Sequence, residues 1–214
     1  MDQTRVLIIN PNASAGSILD TTSLGVYPIL NPNKFYNGAL GVNGRIYFSS
    51  LNYNDFEEID PYNNTKTGIF ASLLSTLKWS GGALYIDGKI YFAPYNEPRI
   101  AIINTKVTPG VLDTSSITFS PSGGNFKWRN AVLAPNGKIY CCPDNETRVL
   151  IINPETGIAD TTTITITNAE WSKFVLGHNG KIYAIPLTNS LIGMIRTGIP
   201  KIDMDFCLSD FQNN

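Results

Sequence analysis

The residues of this 214-residue chain that could carry acid, base or metal chemistry are few and scattered. His178, the single histidine, lies in a His-Asn-Gly triplet that reads as a hairpin turn, where a solvated side chain is expected rather than a catalytic one. One imidazole cannot build a histidine-rich zinc site. Cys141 and Cys142 are adjacent, so on a strand they point to opposite faces and serve as core-filling thiols. Three cysteines make a disulfide framework an unsuitable reading. Asp203 and Asp205 alternate as paired carboxylates on one strand face would, and with no third partner they read as a solvent-facing edge. Glu57, Glu58 and Asp60 form the densest acidic cluster, lack the spacing of a calcium loop, and read as surface charge. Gly82 to Ile90 fails as a phosphate loop: it has one residue too many between its glycines, and Ile90 stands where a hydroxyl is required. There is no G-x-S-x-G nucleophile element. These residues predict no enzyme, no cofactor and no bound metal.

What must position any side chain here is a repeat. Trp79 to Asn104 and Trp128 to Asn153 align without a gap and are identical at half of their positions. Anchored on Gly44, Gly88, Gly137 and Gly180, the pattern recurs about every 45 residues. An aromatic precedes each glycine (Phe35, Trp79, Trp128, Trp171) and a tyrosine follows it (Tyr47, Tyr91, Tyr140, Tyr183). The dipeptides Asn43-Gly44, Asp87-Gly88, Asn136-Gly137 and Asn179-Gly180 are hairpin turns, because both residue types tolerate positive φ.

The unit reads as four strands: Trp128 to Ala134, Lys138 to Cys142, Arg148 to Ile152 and the alternating Thr161 to Thr167. Pro143 stops the second strand. Ile69 to Leu77 takes the place of a fourth strand and is read as one rather than as a short helix. Thr4 to Pro11 repeats Thr147 to Pro154 residue for residue, so the sequence opens in the second half of a unit. The unit that begins at Trp171 keeps the pattern through Pro186, after which it decays.

Recurring polar positions are the best binding candidates. Asn52, Asn96 and Asn145 share one position, and Arg5, Arg99 and Arg148 share another; together they should gather on one face, as turn and bracing residues or as a ligand site. The repeated aromatics fit packing between units better than sugar stacking, since a residue needed in every unit serves the seam common to all. Charged residues make up 15% and the net charge is −1, so no field favours nucleic acid or an anionic membrane. No apolar run is long enough to cross a bilayer as a helix. The start MDQTRVLIIN lacks the features of a secretory leader, so a cytoplasmic or virion-assembled protein is expected.

A four-stranded unit of this length resembles a β-propeller blade of the broad kelch and WD-repeat type, over residues 4–187. The resemblance implies an all-β propeller with blades at about 35–76, 79–119 and 128–168. A composite blade of 171–187 with 4–24 would close a four-bladed ring; the alternative is four blades plus an unfinished fifth, closed by another chain. Residues 188–214 form an apolar tail, with Leu191, Ile195, Phe206 and Phe211 as assembly contacts, or else degenerate outer strands. The Asn-Gly-Lys-Ile-Tyr repeats also resemble those of bacterial and phage-encoded propeller proteins. Together these readings predict a non-catalytic binding or assembly module in a virion or surface-attachment setting, with a protein partner or self-association. A carbohydrate-binding propeller and a metal-assisted hydrolase or lactonase are the alternatives.

Overall fold

The computed structural model describes residues 8–9, 12, 19–20, 35–50, 55–70, 78–119, 124–166, 171–188 and 192–198. All regular structure among them is β. Strands β1 (Ile8–Ile9) and β2 (Leu19–Asp20) form a two-stranded sheet. The first blade is β3 (Phe35–Leu40), β4 (Ile46–Ser50), β5 (Asp55–Asp60) and β6 (Thr65–Phe70). The second is β7 (Trp79–Leu84), β8 (Lys89–Pro94), β9 (Ala101–Asn104) and β10 (Val111–Asp113). The third is β11 (Trp128–Leu133), β12 (Ile139–Pro143), β13 (Leu150–Asn153) and β14 (Ile158–Asp160). The fourth contains β15 (Trp171–Leu176), β16 (Ile182–Pro186) and β17 (Gly193–Ile195). Each blade is an antiparallel meander, and the inner strands β3, β7, β11 and β15 follow one another around an arc. The expected propeller of four-stranded blades is the fold found.

The turn between the first two strands explains the Asn-Gly-Lys-Ile-Tyr signature. The Asn136 amide oxygen accepts the Lys138 N–H at 3.1 Å, and its NH₂ group donates to the Tyr140 hydroxyl at 2.9 Å. Asn43 and Tyr47, and Asn179 and Tyr183, repeat this at 2.9 Å. In the second blade the polarity reverses, with Tyr91 donating to Asp87 at 3.0 Å. The glycine that follows has φ near +75° in every blade, the left-handed conformation such turns require.

Period-two alternation gives each blade two buried faces, one for each neighbour. The seam between the second and third blades joins Tyr91, Ala93, Ile100 and Ile102 to Trp128, Ile139, Cys141 and Leu150. The next seam joins Tyr140, Cys142, Val149 and Ile151 to Trp171, Phe174 and Ile182. Cys141 and Cys142 thus fill different seams, as their adjacency predicts, and burial pushes both thiols far above their ordinary range. Trp79 and Trp128 are fully buried and donate their indole N–H to the carbonyls of Arg99 (2.8 Å) and Arg148 (2.9 Å). No indole face is free to stack on a sugar at these positions, which removes the basis for the carbohydrate reading.

Four expectations need correction. The fourth strand of the third blade begins earlier than Thr161 to Thr167, at Ile158–Asp160, and pairing resumes inside the expected stretch, where Thr165 bridges Arg148. A tight turn closed by the Gly157 N–H on the Asn153 carbonyl (3.0 Å) starts the strand at once, and Asp160 then ends it by binding the Thr162 N–H. In the first blade the corresponding strand is Thr65–Phe70, so the Ile69 to Leu77 reading meets it only at its start, and 71–77 lie outside the described residues. Next to β16 lies β17, an outer strand from residues 188–214 as the second reading of that segment expects, and among the described residues the composite pairing with Thr4 to Thr22 is not the one formed. Finally, Glu58 and Asp60 are buried rather than at the surface, because Arg45 reaches both carboxylates at 2.9 Å and Gly110 N–H donates to Glu58.

Two outcomes follow. Asn136→Ala removes the amide from Lys138, Tyr140 and the Thr197 carbonyl at once, and should cost about 2 kcal/mol in urea unfolding, against little for an exposed asparagine. Hydrogen bonds from Thr163, and then from Thr162, hold the Asp160 carboxyl down at about 2. A carboxyl lowered on folding stabilises above its ordinary value and loses that contribution as pH falls through its folded one. Stability should therefore drop between about pH 4 and pH 2, and Asp160→Asn should flatten that limb of the unfolding profile.

Candidate functional site

The loops joining second to third strands gather on one face, as the spacing of the recurring polar residues requires. In the second and third blades these loops, together with the entry to β11, form one polar junction. The Asn96 amide oxygen accepts the Phe126 N–H at 2.8 Å, and Asn145 donates to the Asn125 carbonyl at 3.4 Å. Arg99 pairs with Glu97, and Arg148 with Glu146, each at 3.7 Å. Asn52 and Arg5 lie outside the described residues, as do Leu191, Phe206 and Phe211. Ile195 is a strand residue of the fourth blade and packs, partly buried, against the seam with the third.

The junction also contains charges that the spacing did not single out. Lys127 is buried, donates to the carbonyls of Asn96 (3.0 Å) and Gly124 (2.9 Å), and has buried Glu97 and Glu146 as its nearby carboxylates. Burial lowers its pKa, while the two glutamates oppose that shift. Buried Asp144 takes the Arg129 guanidinium at 2.9 Å and the Tyr95 hydroxyl at 2.9 Å. Every charge named here is matched by one of opposite sign, so the junction braces two blades and presents no free acid or base.

On the opposite face the same seam opens into a cavity of about 470 Å³, lined by Tyr85, Ile86, Leu133, Ala134, Pro135, Asn136, Gly137 and Glu155. The repeat places Gly41, Ala134 and Gly177 at the position of Tyr85, so this blade alone carries a phenol there. Tyr85 is buried and donates to the Glu155 carboxylate at 3.0 Å. Burial, then that bond, raises its pKa, which keeps the phenol protonated. Glu155 sits on the turn between β13 and β14, where the other blades have Tyr62 and Lys106, and no lysine or arginine pairs with it among the described residues. A carboxylate beside a protonated phenol in an apolar-walled cavity is an acid and base pair in one site.

Among the described residues no three of His, Cys, Asp and Glu converge to hold an ion. The inner-strand Asn130, which could have turned to the channel, instead grips Phe174: its oxygen accepts the backbone N–H at 2.9 Å and its NH₂ donates to the carbonyl at 3.1 Å. His178 is exposed on its turn.

No family model matches the sequence, and no curated protein matches it. Solved structures do resemble the fold. A streptogramin B lyase superposes with a TM-score of 0.71 at 14% identity, over 91% of this chain and 59% of that one. Virginiamycin B lyase from Staphylococcus aureus gives 0.71 at 15% identity, over 91% and 60%. A protein described as a putative gluconolactonase gives 0.60 at 10% identity, over 79% and 61%. The chain thus spans about three-fifths of the length of these β-propellers. They are named as a lyase or lactonase, which overturns the expectation of a non-catalytic binding and assembly module: a missing familiar motif does not mark this fold as catalytically idle. They equally lend nothing to a kelch, WD-repeat or virion assignment.

Lys127→Met should destabilise the chain by about 2 kcal/mol, since it takes the buried donor from the Asn96 and Gly124 carbonyls and leaves Glu97 and Glu146 only their longer contacts with Arg99 and Arg148. Chemical denaturation checks this, and Lys127→Arg, which keeps the charge, should lose less.

Proposed function

We propose that the chain is an enzyme that hydrolyses a small cyclic ester, with Glu155 and Tyr85 as its acid and base pair. The observation that carries this reading is the 3.0 Å contact of the two groups at a largely apolar cavity, with Tyr85 buried and Glu155 open to solvent. The likeness of the fold to a streptogramin B lyase and to proteins described as lactonases supports it.

The chemistry needs only groups that the chain supplies. The apolar ring of the substrate lies against Ile86, Leu133 and Pro135, and its carbonyl points at the Tyr85 hydroxyl. Glu155 takes a proton from water as the water oxygen bonds to the carbonyl carbon. Tyr85 turns its proton from Glu155 to the developing oxyanion, which a phenol held protonated by burial can do across neutral pH. Collapse of the tetrahedral intermediate breaks the ring C–O bond, and Glu155 returns its proton to the departing alkoxide. The product is the open hydroxy acid, and the carboxylate is restored. No step passes through a metal.

The test is turnover of a panel of γ- and δ-lactones, followed by proton release. Glu155→Gln should lower kcat about 10³-fold, and Tyr85→Phe about 10²-fold with little change in KM. His178→Ala should leave the rate unchanged, in contrast to the lyase neighbour, whose His-to-Ala variant is described as catalytically inactive. Lactone hydrolysis that survives Glu155→Gln, or none by the intact chain, would sink the proposal.

A further inference from the structure

The cavity at Tyr85 and Glu155 offers a ligand little besides that pair to hydrogen-bond with. Of its lining side chains only Tyr85, Asn136 and Glu155 are polar, and Asn136 has no donor left. Its NH₂ group donates to the Tyr140 hydroxyl at 2.9 Å and to the Thr197 carbonyl at 3.0 Å, while its oxygen accepts the Lys138 N–H at 3.1 Å. The backbone of the two turns is engaged in the same way. The Tyr85 and Ala134 N–H groups donate to the carbonyls of Lys89 and Lys138, each at 2.9 Å. The Gly88 and Gly137 N–H groups donate to those of Tyr85 and Ala134, each at 3.0 Å, and the Glu155 N–H to the Asn153 side chain at 3.1 Å.

The rest of the wall is aliphatic. Leu133 and Pro135 are half-buried in it, and Ile86, at the tip of its hairpin, is 83% exposed beside them, so packing within the fold does not account for its side chain. A volume of about 470 Å³ lies in the range of cavities that take drug-sized ligands. A bare γ- or δ-lactone ring fills only a fraction of it and leaves most of the apolar wall wet. A substrate hydroxyl laid against this wall loses water and gains no partner, whereas a methylene laid there gains by leaving water.

We infer that this site takes a lactone carrying an alkyl substituent of several carbons, not a polyhydroxylated one, and that Ile86, with Leu133 and Pro135, selects it by contact with that substituent. The inference rests on the hydrolytic reading of Tyr85 and Glu155 for its reaction, while the preference itself is a matter of binding. Ile86 is a specificity-determining residue here and takes no part in proton transfer. Each methylene that reaches the wall should raise kcat/KM about fourfold, until the cavity is filled.

Two series of compounds test this on the intact chain. δ-Lactones that are unsubstituted or carry an ethyl, butyl or hexyl chain beside the ring oxygen are followed by proton release, with glucono-δ-lactone as the polyhydroxylated counterpart. Cyclohexanones with the same chains, which cannot be hydrolysed, are followed by titration calorimetry. Both kcat/KM and affinity should rise with chain length, and glucono-δ-lactone should be turned over no faster than the unsubstituted ring. Ile86→Asn, at a position too exposed to matter for folding, should cut the hexyl-to-unsubstituted ratio about tenfold in both series. Val42→Asn, at the equivalent tip in the first blade, should leave that ratio as it is. A ratio that survives Ile86→Asn overturns the inference, as does glucono-δ-lactone turned over faster than the butyl lactone. Lactones hydrolysed without regard to chain length overturn it too, and leave the acid and base pair standing. Ketones that bind more tightly with each methylene, while no lactone is hydrolysed, uphold the preference and overturn the hydrolytic reading instead.

Discussion

One side-chain amide in the first turn of the first, third and fourth blades does two jobs at once, and most of the architecture depends on it. Asn43, Asn136 and Asn179 each accept a backbone N–H two residues on, which fixes the turn, and each donates to the tyrosine hydroxyl of the following strand. The first bond sets the hairpin register, which decides which residues face each neighbouring blade. The second lets a tyrosine be buried without stranding its hydroxyl. Tyr47 shows the consequence: it is fully buried in the first seam, and burial pushes its pKa up to about 12.

The tyrosine then forms part of the leading face of its blade, and the buried aromatic at the start of the inner strand forms part of the trailing face. Trp79 and Trp128 lie against the preceding blade while tied by their indole N–H to the third strand of their own. A register shift just after each aromatic accompanies this placement. Close packing leaves some positions no room to vary. A Cβ on Gly82 would lie 2.8 Å from both Ile90 and Phe92, which accounts for the Gly81-Gly82 pair in the second blade.

What the sequence makes legible is what recurs. Hairpin turns, strand order, the separate seams of Cys141 and Cys142 and the packing role of the tryptophans all follow from period and turn chemistry. The start of the fourth strand is set by a turn of varying length, which alternation does not reveal: Asn153 to Gly157 closes tightly and starts pairing at Ile158, while the alternating stretch pairs only around Thr165. The acidic residues were misjudged because burial of Glu58 depends on Arg45 and on Gly110 of the next blade, 52 residues away. The cavity was out of reach for the same reason, since Tyr85 and Glu155 are 70 residues apart and meet only across a seam. The signal for Tyr85 was nonetheless present, as the one large residue at a position that is otherwise glycine or alanine.

That contrast gives a rule for reading this fold. Residues shared by all blades are needed by all seams, so they report on packing and are poor guides to chemistry. Departures from the repeat have to be explained one at a time. Arg45 with Glu58 and Asp60 puts ionic bonding in place of the aliphatic packing that Ile102 and Ile151 supply elsewhere. Tyr85 with Glu155 puts a proton donor and acceptor across a seam that the other blades close with Val42 on Thr105 or Asn136 on Thr197. Residues altered in a completed seam are therefore where chemistry is to be sought, and residues that every seam shares are where it is not.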